Sequence, residues 1–286
     1  MLKLSKRILI VLCGVLLMGL SFATPEPLWL TLPNTPSLPK ADSSGYVAVD
    51  GIKIWYATFG HGKPVILLHG GLANSNYWGN QVRALLPNYK VIVMDSRGHG
   101  RSTQDSQPYS YDLMTKDVIG LMDNLHIEKA AIVGWSDGAI IGLDMAINYP
   151  NRVACLFAFA ANSDPSGVKD VNKSPVFTSF IKRAGIEYQH LSATPKQYDN
   201  FVAQISKMWA TQPYFTKAQL NGIKVKTWIV DADHDEAIKR DNTLYMSSQI
   251  NGSGLLIQPE VSHFSFIQNP TQFNNGLKIF LNKNYN

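Results

Sequence analysis

The run Ala130-Ala131-Ile132-Val133-Gly134-Trp135-Ser136-Asp137-Gly138 decides the fold. Its first four residues are small and apolar, the mark of a strand buried on both faces of a parallel sheet. After Gly138 the apolar character resumes in Ala139-Ile140-Ile141-Gly142-Leu143-Asp144-Met145-Ala146-Ile147, which reads as a helix packed against that sheet. Ser136 therefore falls at a strand-to-helix corner. Such a corner forces an unfavourable backbone conformation on the residue at its apex, and glycines let strand and helix approach closely. The serine hydroxyl is lifted clear of the backbone, as a nucleophile requires.

Outward from this corner the chain keeps one rhythm. Residues 64–68 and 91–94 are short continuous apolar runs, further buried strands, and residues 153–159 and 227–230 continue the series. Residues 111–125 carry Leu113, Val118, Leu121, Met122 and Leu125 at helical spacing. Ahead of the series, residues 46–50 and 52–58 read as two strands joined at Asp50-Gly51, a hairpin signal. Alternating strands and helices predict an α/β protein, a mostly parallel sheet with helices on both faces. Residues 163–222 interrupt the rhythm without a convincing strand and are expected to form an inserted helical cap. In it, Tyr198, Phe201, Val202, Ile205, Met208 and Trp209 recur every three or four residues, giving a helix with an aromatic face. That face either packs onto the main domain or roofs a pocket. The core then comprises residues 45–162 and 223–286, preceded by a proline-rich, extended lead-in at 24–44.

Residues 1–23 differ from the rest. Lys3, Lys6 and Arg7 precede an uncharged run from Ile8 to Leu20, followed by Ser21-Phe22-Ala23. That is the layout of a secretory signal peptide, with cleavage expected after Ala23 and a secreted or periplasmic product; an uncleaved membrane anchor is the alternative. Cleavage takes three of the 26 basic residues and none of the 21 acids, lowering the formal charge from +5 to +2. No basic cluster with interleaved aromatics remains, so nucleic acid is not an expected partner. Of the two cysteines only Cys155 would stay, which rules out an internal disulfide.

A serine nucleophile needs a histidine to take its proton and an acid to hold that histidine. His263 follows the expected last strand, residues 254–258, and precedes a C-terminal helix starting near Pro270, so it sits at a strand's carboxyl end. Residues 230–236, Val-Asp-Ala-Asp-His-Asp-Glu, end another strand and offer three aspartates. Asp235 lies furthest past the strand and is the expected acid, Asp233 the runner-up; Asp231 belongs with the strand. A metal on Asp233-His234-Asp235 is disfavoured, because no companion histidine pair stands at ligand spacing. For the oxyanion, the amides of Gly71, in His69-Gly70-Gly71, and of Asp137 are the candidate donors. His69, and Asp95 and Arg97 in the loop running to Ser102, read as loop-shaping residues.

Taken together these residues resemble the α/β-hydrolase superfamily, from about Tyr46 to the C-terminal helix, in the order Ser136, Asp235, His263. The Gly134-Trp135-Ser136-Asp137-Gly138 elbow resembles that of valacyclovir hydrolase and its biphenyl-hydrolase-like relatives. The resemblance implies the α/β-hydrolase fold with its cap after the sixth strand. It also implies a serine hydrolase of small carboxylic esters or related acyl compounds, needing no metal or organic cofactor. An acyltransferase or perhydrolase using the same residues, or a non-catalytic ligand-binding member of the fold, are the other classes. It further implies that the Asp137 carboxylate faces a cationic amine of the substrate; a helix N-terminal acid is the alternative. A serine at 136 argues against the dehalogenases and epoxide hydrolases of this superfamily, which use aspartate there.

Overall fold

A computed structural model describes residues 26–285; the expected signal segment lies outside the described residues. Among the described residues, eight strands form one sheet: β1 (Ser43–Val49), β2 (Ile52–Phe59), β3 (Lys63–Leu68), β4 (Tyr89–Met94), β5 (Ala130–Trp135), β6 (Val153–Phe159), β7 (Lys226–Ala232) and β8 (Gly254–Gln258). Their order is β1-β2-β4-β3-β5-β6-β7-β8. The first two strands run antiparallel to their neighbours and the other six are mutually parallel. Asp50 and Gly51 both take positive φ, 43° and 82°, which fits a two-residue turn matched to strand twist. β1 begins at Ser43, ahead of the expected Tyr46, because the pairing with β2 extends to Ser43 opposite Thr58.

Helices cover both faces of the parallel strands, and every residue from Val65 to Leu68 and from Ala130 to Trp135 is buried. Helices α1 (Gly79–Leu85) and α9 (Pro270–Asn284) pack together, joined by the single turn α8 (Ser265–Gln268). Helices α2 (Tyr111–Asn124) and α3 (Asp137–Asn148) form the other main pair, and α7 (Arg240–Gln249) lies along β7. Between Ser163 and Gly222 come α4 (Pro175–Leu191), α5 (Tyr198–Trp209) and α6 (Lys217–Gly222). Helix α5 carries the predicted stripe: Phe201, Ile205 and Met208 are buried. Helix α4 has its own apolar row, Val176, Phe180, Ala184 and Tyr188 at every fourth residue, and a start fixed by Ser174 accepting from Phe177 N with Pro175 in the first turn.

Register aligns the carboxyl ends of the strands. Leu68 pairs with Gly134, Trp135 with Phe159, Phe159 with Val230 and Ala232 with Gln258. The loops after β3, β5, β7 and β8 therefore leave the sheet along one edge, where open α/β sheets hold ligands.

Strand and helix approach closely at the Ser136 corner. A Cβ on Gly134 would fall 2.3 Å from Gly138 O, and one on Gly138 would fall 2.1 Å from Leu68 O. A Cβ on Gly222, at the end of α6, meets nothing within 4 Å. Gly134→Ala is therefore expected to lower unfolding free energy by about 3 kcal/mol or more, while Gly222→Ala changes it by less than about 1 kcal/mol. Urea denaturation of the two variants checks the contrast.

Candidate active site

Ser136 caps α3 with φ 55° and ψ −118°, a conformation that L-residues avoid. Its N–H donates to Phe159 O at 2.9 Å, and its carbonyl accepts from Ala139 N and Ile140 N. The corner is thus fixed from the sheet on one side and the helix on the other. The Asp137 amide is the first of α3, at the positive end of the helix dipole.

His263 and Asp235 meet at the neighbouring loops. His263 Nδ1 stands 2.8 Å from Asp235 Oδ2, with 1% and 3% of the two residues exposed. Asp235 Oδ1 accepts from Ala237 N and Ile238 N, each at 2.7 Å. Burial works to raise the Asp235 pKa, but the charge of His263 and these donors outweigh it and hold it below the usual range. Burial works to lower the His263 pKa; Asp235 wins here too, and it lies above its ordinary value. A carboxylate on Nδ1 places the ring proton there and leaves Nε2 as the acceptor. Ser136 and His263 line the same cavity, with no direct hydrogen bond between them.

Two further carboxyls back this pair. Glu236 Oε2 accepts from His263 N at 3.0 Å, and its Oε1 from the Ser262 hydroxyl. Asp231, at the end of β7, is buried with Thr243 donating to it at 2.7 Å. Burial, then the negative charge of Asp235, pushes its pKa well up. Asp233 turns away toward Val261 N, and His234 stacks on Trp29, so neither joins Asp235.

The cavity measures about 450 Å³ and is mainly apolar, with Trp135, Phe177, Phe180 and Ile238 among its walls. Phe177 and Phe180 come from α4, a helix the sequence reading passed over, although its apolar row at every fourth residue was the signal for it. Trp209, at the end of α5, also lines the cavity while the middle of that helix packs inward, so the aromatic stripe does both things asked of it. Gly71 lies directly under Trp209: a Cβ there would fall 2.3 Å from the indole.

Asp137 lines the cavity at the head of α3 with its carboxylate already partnered. It is 4% exposed, and both its oxygens accept from Trp209 Nε1 at 3.0 Å while Oδ1 also accepts from the Tyr111 hydroxyl at 2.9 Å. The side chain ties cap to core. Neither partner could be found from the sequence around residue 137, since both come from distant helices.

The loop-shaping residues do as expected. His69 donates from Nδ1 to Gly70 O and accepts Ser96 N–H at Nε2, with burial lowering its pKa, so it is a neutral brace. Asp95 accepts from Ser75 N, the Ser75 hydroxyl, and the backbone and guanidinium of Arg101. Arg97 forms a two-pronged pair with Asp117 at 2.6 and 2.7 Å. Cys155 is buried in β6, which pushes its thiol pKa up to about 12.

Residues 63–180 match the sequence profile of the alpha/beta hydrolase fold. Human serine hydrolase BPHL (Homo sapiens) is 25% identical over 253 residues, covering 84% of this chain and 86% of that protein. Among solved structures, the enol-lactonase from Burkholderia xenovorans superposes with a TM-score of 0.67 at 21% identity, over 83% of this chain and 100% of that one. A meta-cleavage product hydrolase from Pseudomonas fluorescens gives 0.72 at 21% identity, over 85% and 98%. The chain has the α/β-hydrolase fold.

The pKa of Asp137 rises to about 6, because burial outweighs the hydrogen bonds from Trp209 and Tyr111. A carboxyl raised on folding binds its proton more tightly folded than unfolded, so its charged form costs stability above about pH 6, and the cost fades as pH falls toward the unfolded value of about 4. Asp137→Asn keeps an acceptor for Trp209 without the charge. It should therefore be more stable than the parent by about 2 kcal/mol at about pH 8, with the gap closing near pH 4. Thermal melts across that range measure it.

Proposed function

We propose that this protein is a serine hydrolase that cleaves a small carboxylic ester or related acyl compound through an acyl-enzyme on Ser136. The single observation that carries the reading is the shared cavity: Ser136 and His263 both line it, and His263 is held by Asp235 at 2.8 Å. Likeness to human serine hydrolase BPHL along most of both chains supports it. The apolar walls suit an acyl chain, and the volume suits a small molecule.

In this reading the Ser136 oxygen attacks the carbonyl carbon as His263 Nε2 takes the hydroxyl proton. The amides of Gly71 and Asp137 receive the oxyanion, the latter strengthened by the α3 dipole. As the intermediate collapses, the carbon–oxygen bond to the alcohol breaks and His263 returns the proton to it. Water, activated by the same nitrogen, then attacks the acyl carbon and frees Ser136 with release of the acid. Asp235 orients the imidazole and stabilises its charged form throughout.

A screen against esters of graded acyl length tests the class, and the residues are tested separately. Ser136→Ala should lower kcat by about 10⁴-fold or more and abolish labelling by a fluorophosphonate, with the fold intact. Asp235→Asn should cost about a thousandfold or more, and Asp233→Asn little. Retained turnover in Ser136→Ala rejects the assignment. Faster reaction with an added alcohol or peroxide than with water would instead make the enzyme an acyltransferase or perhydrolase.

The pH profile follows from His263. The base acts only when neutral, and its pKa is raised, so kcat/KM should climb through an acid limb lying above 6.5. A limb well below that value would mean another group titrates.

A further inference from the structure

The proline-rich lead-in touches the acid loop, the base loop and the cap within seven residues, 29–35. At its start the Trp29 indole lies flat on the His234 imidazole, centroids 4.0 Å apart and planes within 7°. His234 immediately precedes Asp235. Two residues on, the Thr31 carbonyl accepts from Gln268 Nε2 at 2.9 Å. Gln268 is buried, and it grips Ser262 at both ends, accepting from its N–H at 2.7 Å and donating to its hydroxyl at 3.0 Å. Ser262 immediately precedes His263. Next, the carbonyls of Leu32 and Pro33 accept from the Arg183 guanidinium of α4. Finally the Thr35 hydroxyl donates to Glu187 Oε1, whose other oxygen accepts from Asn74 in the loop that follows Gly71.

We propose that residues 29–35 are a positioning strap, which sets the His263–Asp235 pair through Trp29 and Thr31 and holds the cavity wall of α4 through Leu32, Pro33 and Thr35. The inference rests on the serine-hydrolase reading above. Its physical basis is that Asp235 and His263 stand on separate loops, after β7 and β8, whose mutual hydrogen bonds all lie within residues 233–236 and 261–263, so that the strap adds an anchor from outside both. Loops are the least constrained part of such a fold, and a base misplaced by a fraction of an ångström loses rate steeply. A covalently continuous segment stacked on the residue before Asp235, and bonded to the glutamine that grips the residue before His263, fixes their separation. The contacts to α4 act mainly on a different quantity, since Phe177 and Phe180 of that helix shape the cavity and Phe177 meets His263 by ring contact alone, at 5.6 Å.

The two halves of the strap therefore separate in kinetics. In the full-length chain, Trp29→Ala should lower kcat about tenfold at nearly constant KM, with Trp29→Phe, which keeps a ring on His234, restoring most of it. Arg183→Met, which frees Leu32 and Pro33 from α4, should instead raise KM several-fold with a smaller effect on kcat. Site concentrations are normalised by fluorophosphonate titration, so that unfolded material does not enter. His234→Ala removes the stack from the loop side and gives the same kcat loss if Trp29→Ala does not fold. Variants that lower only the melting temperature, with kcat and KM unchanged per titrated site, overturn the strap. So does a kcat loss in Trp29→Ala that Trp29→Phe leaves unrestored. A parent enzyme with no Ser136-dependent turnover removes the functional reading itself, whereas parent-like variants of a working enzyme remove only the strap.

Discussion

Ser136 is held in a backbone conformation that costs of order 1–3 kcal/mol, and the arrangement of the sheet exists around that one position. A strained residue persists only when its surroundings over-determine it. Here β5 lies between β3 and β6 at the centre of the sheet, the Ser136 N–H is taken by Phe159 and its carbonyl by the first turn of α3. The helix can begin so abruptly because Gly134 and Gly138 leave room for α3 to cross the strand ends. The same central strand fixes the register of its neighbours, and through them the edge on which every other loop of the site emerges.

Around this corner the buried charges are matched one by one. Asp235 receives two amide N–H groups and one imidazole, so its charge is satisfied without water. Asp231 lies close enough that its own ionisation is opposed by burial and by Asp235, while Thr243 and the Ala232 amide donate to it. Glu236 is turned onto the backbone of His263 and the hydroxyl of Ser262. Further away, Arg97 and Asp117 neutralise each other, and Asp95 spends both oxygens on the loops after β3 and β4. A buried charge without such partners would move its pKa until it became neutral, so the hydrogen bonds decide which carboxyl stays ionised.

The parts legible in the sequence are those where side-chain chemistry reports its own environment. Continuous apolar runs gave β3, β4, β5 and β6, because strands buried on both faces admit nothing else. The elbow was legible because glycine is the only residue that fits at 134 and 138. The contacts of the lead-in were not, and the reason is physical: three of its anchors are the carbonyls of Thr31, Leu32 and Pro33, a group that every residue carries. Proline-rich composition announces an extended chain but says nothing of what its carbonyls meet. The partners of Asp137 were hidden for a related reason. Tyr111 and Trp209 lie 26 and 72 residues away, and only the packed helices bring them to it.

That meeting gives Asp137 two attachments that pull on one another. Its amide stands at the head of α3 beside the nucleophile, and its carboxylate holds the indole that covers Gly71. Lifting α5 to admit a bulky substrate would break both Trp209 hydrogen bonds and leave a buried carboxylate facing only Tyr111. The cost of such an unpaired buried charge is far above that of an exposed one. Opening of the cap at α5 is therefore opposed at the very residue whose amide faces the reacting carbonyl in the proposed mechanism, whereas α4, which is tied to the core through the lead-in and Asn74, carries no bond to the Ser136 turn. Its hold on the site is through ring contact instead, Phe177 with His263 at 5.6 Å and Phe180 with Trp135 at 5.9 Å, so the two cap helices grip the same corner by different means.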